Sequence, residues 1–130
     1  MSEPELHLGP HVVVPDIAAW RVERMPTIPD TASIDLIPDW ACEILSPSTA
    51  SRDRGRKRRI YATCGLAHYW LLEPIEKQLE VYELQAGKFV LLETFEDDAL
   101  VTAPPFAAVP FELSGLWPLP AAIRPEVSGS

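Results

Sequence analysis

Three charged residues stand among apolar neighbours: Asp16 behind the run VVVP at 12–15, Glu43 inside WACEIL at 40–45, and Lys57 on a stretch of helical period. A carboxylate placed in a covered strand loses its hydration and needs a cation, a metal ion or a proton to offset that loss. Two carboxylates aimed at one point raise each other's pKa unless a divalent cation joins them, and hard ions such as Mg²⁺ take oxygen ligands of this kind. A lysine beside such an ion orients a water or stabilises charge on a phosphoryl oxygen. The same three residues also suit a plainer arrangement, a buried Glu43–Lys57 pair with Asp16 in a loop, and spacing alone leaves both open.

The elements that must position them follow from the pattern around each. Residues 40–45 form a continuous short apolar run, the mark of a strand covered on both faces. The loop SPSTAS leads into a helix predicted over 52–64, stopped by Gly65 at the position just past the helix end. On it Lys57, Ile60, Tyr61 and Cys64 fall at i, i+3, i+4 and i+7, one face, so Lys57 points to the sheet with Glu43 as its partner. Residues 12–20 read as a strand broken by Pro15, and 21–38 as loop.

After the helix, 67–72 is a second apolar strand, 74–77 a turn, 78–84 an alternating strand, and Ala86–Gly87 the turn into a returning strand over 88–95. A short strand at 111–113 and a helical turn at 114–117 close the pattern. The order predicts an α/β (α+β) domain, a mixed β-sheet with a helix packed on it, over residues 12–118. Residues 1–11 read as an N-terminal tail and 119–130 as a C-terminal tail.

The chain has 130 residues and 47% hydrophobic content, which fits one domain with a real core and excludes a disordered class. No apolar run approaches membrane-spanning length and no signal segment opens the sequence, so the expectation is a cytoplasmic protein with no membrane partner. Cys42 and Cys64 lack ligand spacing and read as buried free thiols. Net charge is −8, yet Arg52, Arg54, Arg56, Lys57, Arg58 and Arg59 face only Asp53 within one window, a balance of +5. An acidic protein with one basic helix engages a phosphate backbone locally, and a solvated helix face explains the same charges.

The strings PD at 15–16, PDWACEILSPST at 38–49, RDRGRKRRIYA at 52–62 and HYWLLEP at 68–74 resemble the Uma family of restriction endonucleases, within the PD-(D/E)xK nuclease superfamily. The resemblance runs from about residue 12 to residue 117. It implies a restriction-endonuclease-like core that hydrolyses DNA, with Asp16 and Glu43 binding Mg²⁺ or Mn²⁺ and Lys57 as the catalytic lysine. Leu45 stands where the superfamily's E-x-K places its lysine, so the resemblance assigns that role to Lys57 on the helix. Asp39 also follows a proline and is the weaker metal candidate.

On this reading Arg52, Arg54, Arg56, Arg58 and Arg59 hold nucleic-acid phosphates. The alternative is a non-catalytic family member acting as a binding or dimerisation module. A homodimer is expected, with Phe106, Phe111, Leu116 and Trp117 offering apolar surface to it. His7, His11 and His68 lack partners at ligand spacing and read as structural or exposed, and the four tryptophans as packing residues.

Overall fold

The computed structural model describes residues 1–27, 33–46, 51–106 and 111–116, with the side chains of 33, 51–54 and 116 set aside. Its centre is a five-stranded mixed sheet built from β3 (Ile17–Ala19), β5 (Trp40–Ile44), β6 (His68–Glu73), β7 (Gln78–Gln85) and β8 (Lys88–Glu96), in that spatial order. The helix α1 (Ser51–Cys64) joins β5 to β6, which run parallel, while β3 lies antiparallel on the other side of β5. The meander β6–β7–β8 pairs antiparallel throughout. Fold class and central elements thus match the expectation to within a residue or two.

The end of α1 shows why Gly65 belongs there. Its φ of 88° is open to glycine at no steric cost, and from that bend Leu66 N–H donates to Tyr61 O at 3.0 Å and Gly65 N–H to Ala62 O at 3.3 Å. Leu66 is then driven fully into the core, which fixes the line along which β6 enters the sheet.

The N-terminal residues are not a tail. Strand β1 (Glu5–Leu8) pairs antiparallel with β2 (His11–Val13) and parallel with β4 (Ser33–Ile34), making a second, three-stranded sheet. Leu6 and Leu8 alternate inward and pack with Val13 and Ile34 against the helix side of the core. The polar residues between them disguise a half-buried edge hairpin as a solvated segment. The stretch 12–20 is likewise two strands in two sheets, parted at the buried Pro15, and 21–38 contains β4 rather than loop alone.

The opposite face of the large sheet is closed by the chain's own later residues. Strand β9 (Leu100–Val101) pairs with β10 (Phe111–Glu112), and a short 3-10 turn follows at Leu113–Leu116. Phe106 meets Trp40 and Trp70 edge-on at 5.1 and 5.7 Å, and Phe111 stacks on Trp70 at 6.2 Å. Two of the aromatic residues expected to receive a second copy of the chain are therefore used internally. Trp117, the side chain of Leu116 and residues 119–130 lie outside the described residues. Among the described residues no helix is long and apolar enough to cross a membrane.

Candidate active site

Along β5, Trp40 and Cys42 turn to the aromatic face while Ala41 and Glu43 turn to α1. Glu43 is the buried charged residue of the described core, 6% exposed. Tyr61 Oη donates to its Oε2 at 2.8 Å, and Lys57 Nζ donates to its Oε1 at 3.2 Å and to Val14 O at 2.9 Å. Lys57 and Tyr61 lie four residues apart on one helix face, so a single helix orientation delivers both donors to one carboxylate. Both Glu43 oxygens are engaged, and the lysine is held between strand and loop.

Asp16 comes from the other side of the same strand. The antiparallel register pairs Ile17 with Cys42, and one step further along that register sets Asp16 across from Glu43. Its Oδ2 accepts the Ile44 N–H at 2.6 Å, and its backbone oxygen accepts Glu3 N–H at 2.9 Å. The buried Pro15 before it and the N-terminal residues after it fix the turn from which the carboxylate projects.

Burial is the main force on Glu43 and pushes its pKa from 4.5 up to about 7, with the nearby Asp16 adding to the rise. Lys57 and the Tyr61 hydroxyl pull it back without overcoming burial. The Tyr61 phenol is held protonated, first by burial and then by the carboxylate beside it, so it is a donor only. Once both carboxylates are ionised, two of them against one ammonium leave this cluster one negative charge in excess. Asp16 forms no salt bridge among the described residues, and its second carboxylate oxygen makes no hydrogen bond there.

That donor set fits a hard divalent cation, because Mg²⁺ is commonly bound through one or two carboxylates and keeps several waters. Among the described residues no group of three or more His, Cys, Asp or Glu side chains is placed to hold a metal ion. Leu45 lines an adjacent cavity of about 180 Å³ with Leu71, Glu73, Gln78 and Glu80, so the lysine that meets Glu43 does come from the helix. Asp39 is separated from the cluster: it sits at the far end of β5, accepts Arg21 N–H at 2.6 Å and pairs with Arg24 at 2.8 Å.

The basic helix divides. Arg56 and Arg59 are exposed, whereas Arg58 is half-buried with its guanidinium 4.3 Å from the centre of the Tyr82 ring. Arg52 and Arg54 carry side chains outside the described residues. Cys42 is buried with a thiol held protonated by burial, while Cys64 is only half-buried rather than buried as expected. His7 pairs with Glu5 at 2.7 Å on the surface, and burial lowers the pKa of His68. In sequence Tyr61 has no role beyond its place on the Lys57 face of the helix; that four-residue spacing from Lys57 is the signal that it also faces Glu43.

A mixed sheet whose parallel pair is bridged by one helix, with carboxylates and a lysine converging at the end of those strands, is the architecture of a nuclease-like domain. Residues 2–115 match a family model described as "Uma2: Putative restriction endonuclease", and the chain belongs to that family. A crystal structure described as a "putative nuclease belonging to DUF820" from Anabaena variabilis ATCC 29413 is similar at a TM-score of 0.71 and 29% identity. The alignment covers 90% of this chain and 66% of that one, so this chain spans 66% of that protein's length. No curated protein matches the chain.

Proposed function

We propose that the chain hydrolyses phosphodiester bonds of DNA, with Mg²⁺ or Mn²⁺ held by Asp16 and Glu43 and with Lys57 as the catalytic cation. Family membership and the nuclease-like fold support the nuclease class. The observation that carries the metal-dependent reading is the buried Glu43 carboxylate meeting Lys57 at 3.2 Å, with Asp16 held 2.6 Å from the next backbone nitrogen. A structural ion pair requires no second carboxylate, and one placed here makes the pair less stable unless more positive charge arrives.

Asp16 and Glu43 would hold the divalent ion, whose charge would stabilise a phosphoryl oxygen and lower the pKa of a water. Tyr61 fixes the orientation of the Glu43 carboxylate by donating to Oε2. The Ile44 N–H performs the same service for Asp16. Lys57, tied to Val14 O, would orient the attacking water and meet negative charge as it develops on the phosphoryl group. Arg56 and Arg59 meet backbone phosphates, which fix register without reading sequence.

Plasmid nicking by the full chain in Mg²⁺ or Mn²⁺ tests this reading. Glu43→Gln is expected to reduce nicking by at least about 10²-fold, the loss associated with one well-placed electrostatic group, and chelation is expected to abolish it. Equal nicking by wild type and Glu43→Gln would remove the catalytic assignment of Glu43, and no nicking by either would leave the binding-module alternative.

A further inference from the structure

Beside α1, on the flank that faces the N-terminal hairpin, lies an open cavity of about 260 Å³ lined by His11, Arg56, Arg59, Ile60 and Thr63. Among the described residues its polar lining is two guanidinium groups, an imidazole and a hydroxyl, with no carboxylate. Arg56 and Arg59 make no ion pair among the described residues, although the protein carries a net charge of −8 and has acids in excess over most of its surface. Cations of one sign collected around a concavity repel each other and raise the local potential, a cost without return unless an anion enters. The adjoining groove shares His11 and Thr63 but is lined by Leu8, Leu36, Ile37 and Asp35, so the anion-favouring part ends at Thr63.

We infer that His11, Arg56, Arg59 and Thr63 form a discrete subsite for one backbone phosphate of the nucleic acid, apart from the scissile phosphate at Glu43. Arg56, Arg59 and Thr63 follow helical spacing, so one side of α1 presents all three, and His11 closes the pocket from β2. Guanidinium forks and a hydroxyl match phosphate oxygens in geometry, and the imidazole adds a further donor.

The chain links this pocket to the catalytic cluster directly. His11 opens the segment that ends at Asp16, and its Val14 carbonyl already holds Lys57. Five residues extend at most about 18 Å, which places the two sites within a few nucleotides of each other along a strand. A phosphate seated at His11 would therefore set which neighbouring phosphate reaches Asp16 and Glu43. The histidine that looked featureless in sequence gains this role from a strand pairing that brings the hairpin to the helix.

This inference rests on the nucleic-acid reading above but not on its cleavage step, so it is tested by binding without divalent ions. The full chain is titrated with a short DNA duplex at several KCl concentrations, and separately with inorganic phosphate while the amide signals of His11 and Thr63 are followed. Arg56→Ala and Arg59→Ala, both exposed positions, are each expected to weaken duplex binding and to lower the slope of log K against log salt by about 0.9, one phosphate contact. His11→Ala is expected to weaken binding as well. Lys88→Ala, an equal charge change at the β7–β8 turn and outside the lining of this pocket, is expected to leave the slope unchanged.

Variants in the pocket that behave like Lys88→Ala would overturn the subsite. Phosphate binding without duplex binding would replace it with a site for free anions, and binding of neither would end it. Loss of nicking in Glu43→Gln with the pocket's slope effects intact separates this result from the catalytic test.

Discussion

The two faces of the central sheet are made by the same strands and do opposite work. On one face Trp40, Trp70, Phe106 and Phe111 interlock with Leu72, Leu79, Val81 and Phe95 in an apolar cluster. On the other, Tyr61, Tyr69, Leu71 and Ile60 surround a carboxylate that is buried almost as deeply as they are. A covered strand must be apolar on both sides on average, yet the alternation of side chains lets β5 place Trp40 and Cys42 in the first environment and Glu43 in the second. The aromatic face contributes the burial that offsets the cost of ordering the chain. The helix face uses part of that stability to hold a carboxylate away from water.

The sharpest way to test this division is to damage the apolar face alone. Trp70 is 4% exposed, packs on three aromatic rings and donates its indole N–H to Pro104 O at 3.0 Å. Trp70→Ala is expected to cost about 3–5 kcal/mol of unfolding free energy, the range for deleting a large buried aromatic, measured by denaturant melts. Nicking per folded molecule should stay near wild type, because none of the residues around Glu43 lies on that face. A loss of specific activity as large as that of Glu43→Gln would show that the two faces are not separable.

The division also sets what was legible in the sequence. Strand β5, helix α1, strand β6 and the meander announced themselves because long apolar or alternating runs with turn residues between them leave few choices. The meeting of Glu43 with Lys57 was legible because charges misplaced in apolar context carry information that solvated charges do not. Strands β1 and β4 were hidden because each buries only one or two side chains and borrows its stability from pairing partners far away in sequence. The destination of Phe106 and Phe111 was hidden for a related reason, since an apolar stretch shows that something will be covered without showing by which molecule. Tyr61 lay in plain view on the correct face, but a tyrosine reads as packing until its hydroxyl is given a partner.

The helix face can be sharpened through Lys57, in protein free of divalent ions. A carboxyl whose folded pKa is raised binds its proton more tightly in the folded state, so its penalty is absent below the unfolded value of 4.5 and grows until about pH 7. Lys57 lowers the Glu43 pKa, so Lys57→Met raises it further and enlarges the penalty only where Glu43 is ionised. Lys57→Met is expected to lose about 1–3 kcal/mol more at pH 8 than at pH 5, a range set by a partly buried partner of a buried charge. Added Mg²⁺ should recover part of the loss at pH 8 by mass action, which denaturant midpoints at the two pH values with and without the ion will show. Equal losses at both pH values would mean that Lys57 stabilises through its hydrocarbon stem alone.

The smallest effect divides the basic helix itself. Sequence placed Arg58 with its neighbours as a phosphate ligand, but its guanidinium lies over Tyr82, whose hydroxyl donates to Glu80 Oε1 at 3.0 Å. A cation on an aromatic face at a half-buried position contributes roughly 0.5–1 kcal/mol, and a methionine keeps some of the contact while removing the charge. Arg58→Met is therefore expected to lower the denaturant midpoint slightly and to leave the salt slope of duplex binding at its wild-type value. Arg59→Met should do the reverse, since Arg59 is exposed and makes no ion pair among the described residues. Adjacent residues of identical charge would then report on different faces of α1, one resting on the sheet and the other turned to the ligand. If both variants changed the slope equally, the guanidinium of Arg58 would have to leave Tyr82 when nucleic acid binds, and the boundary between the packed and the ligand-facing sides of the helix would lie one residue further round than the structure draws it.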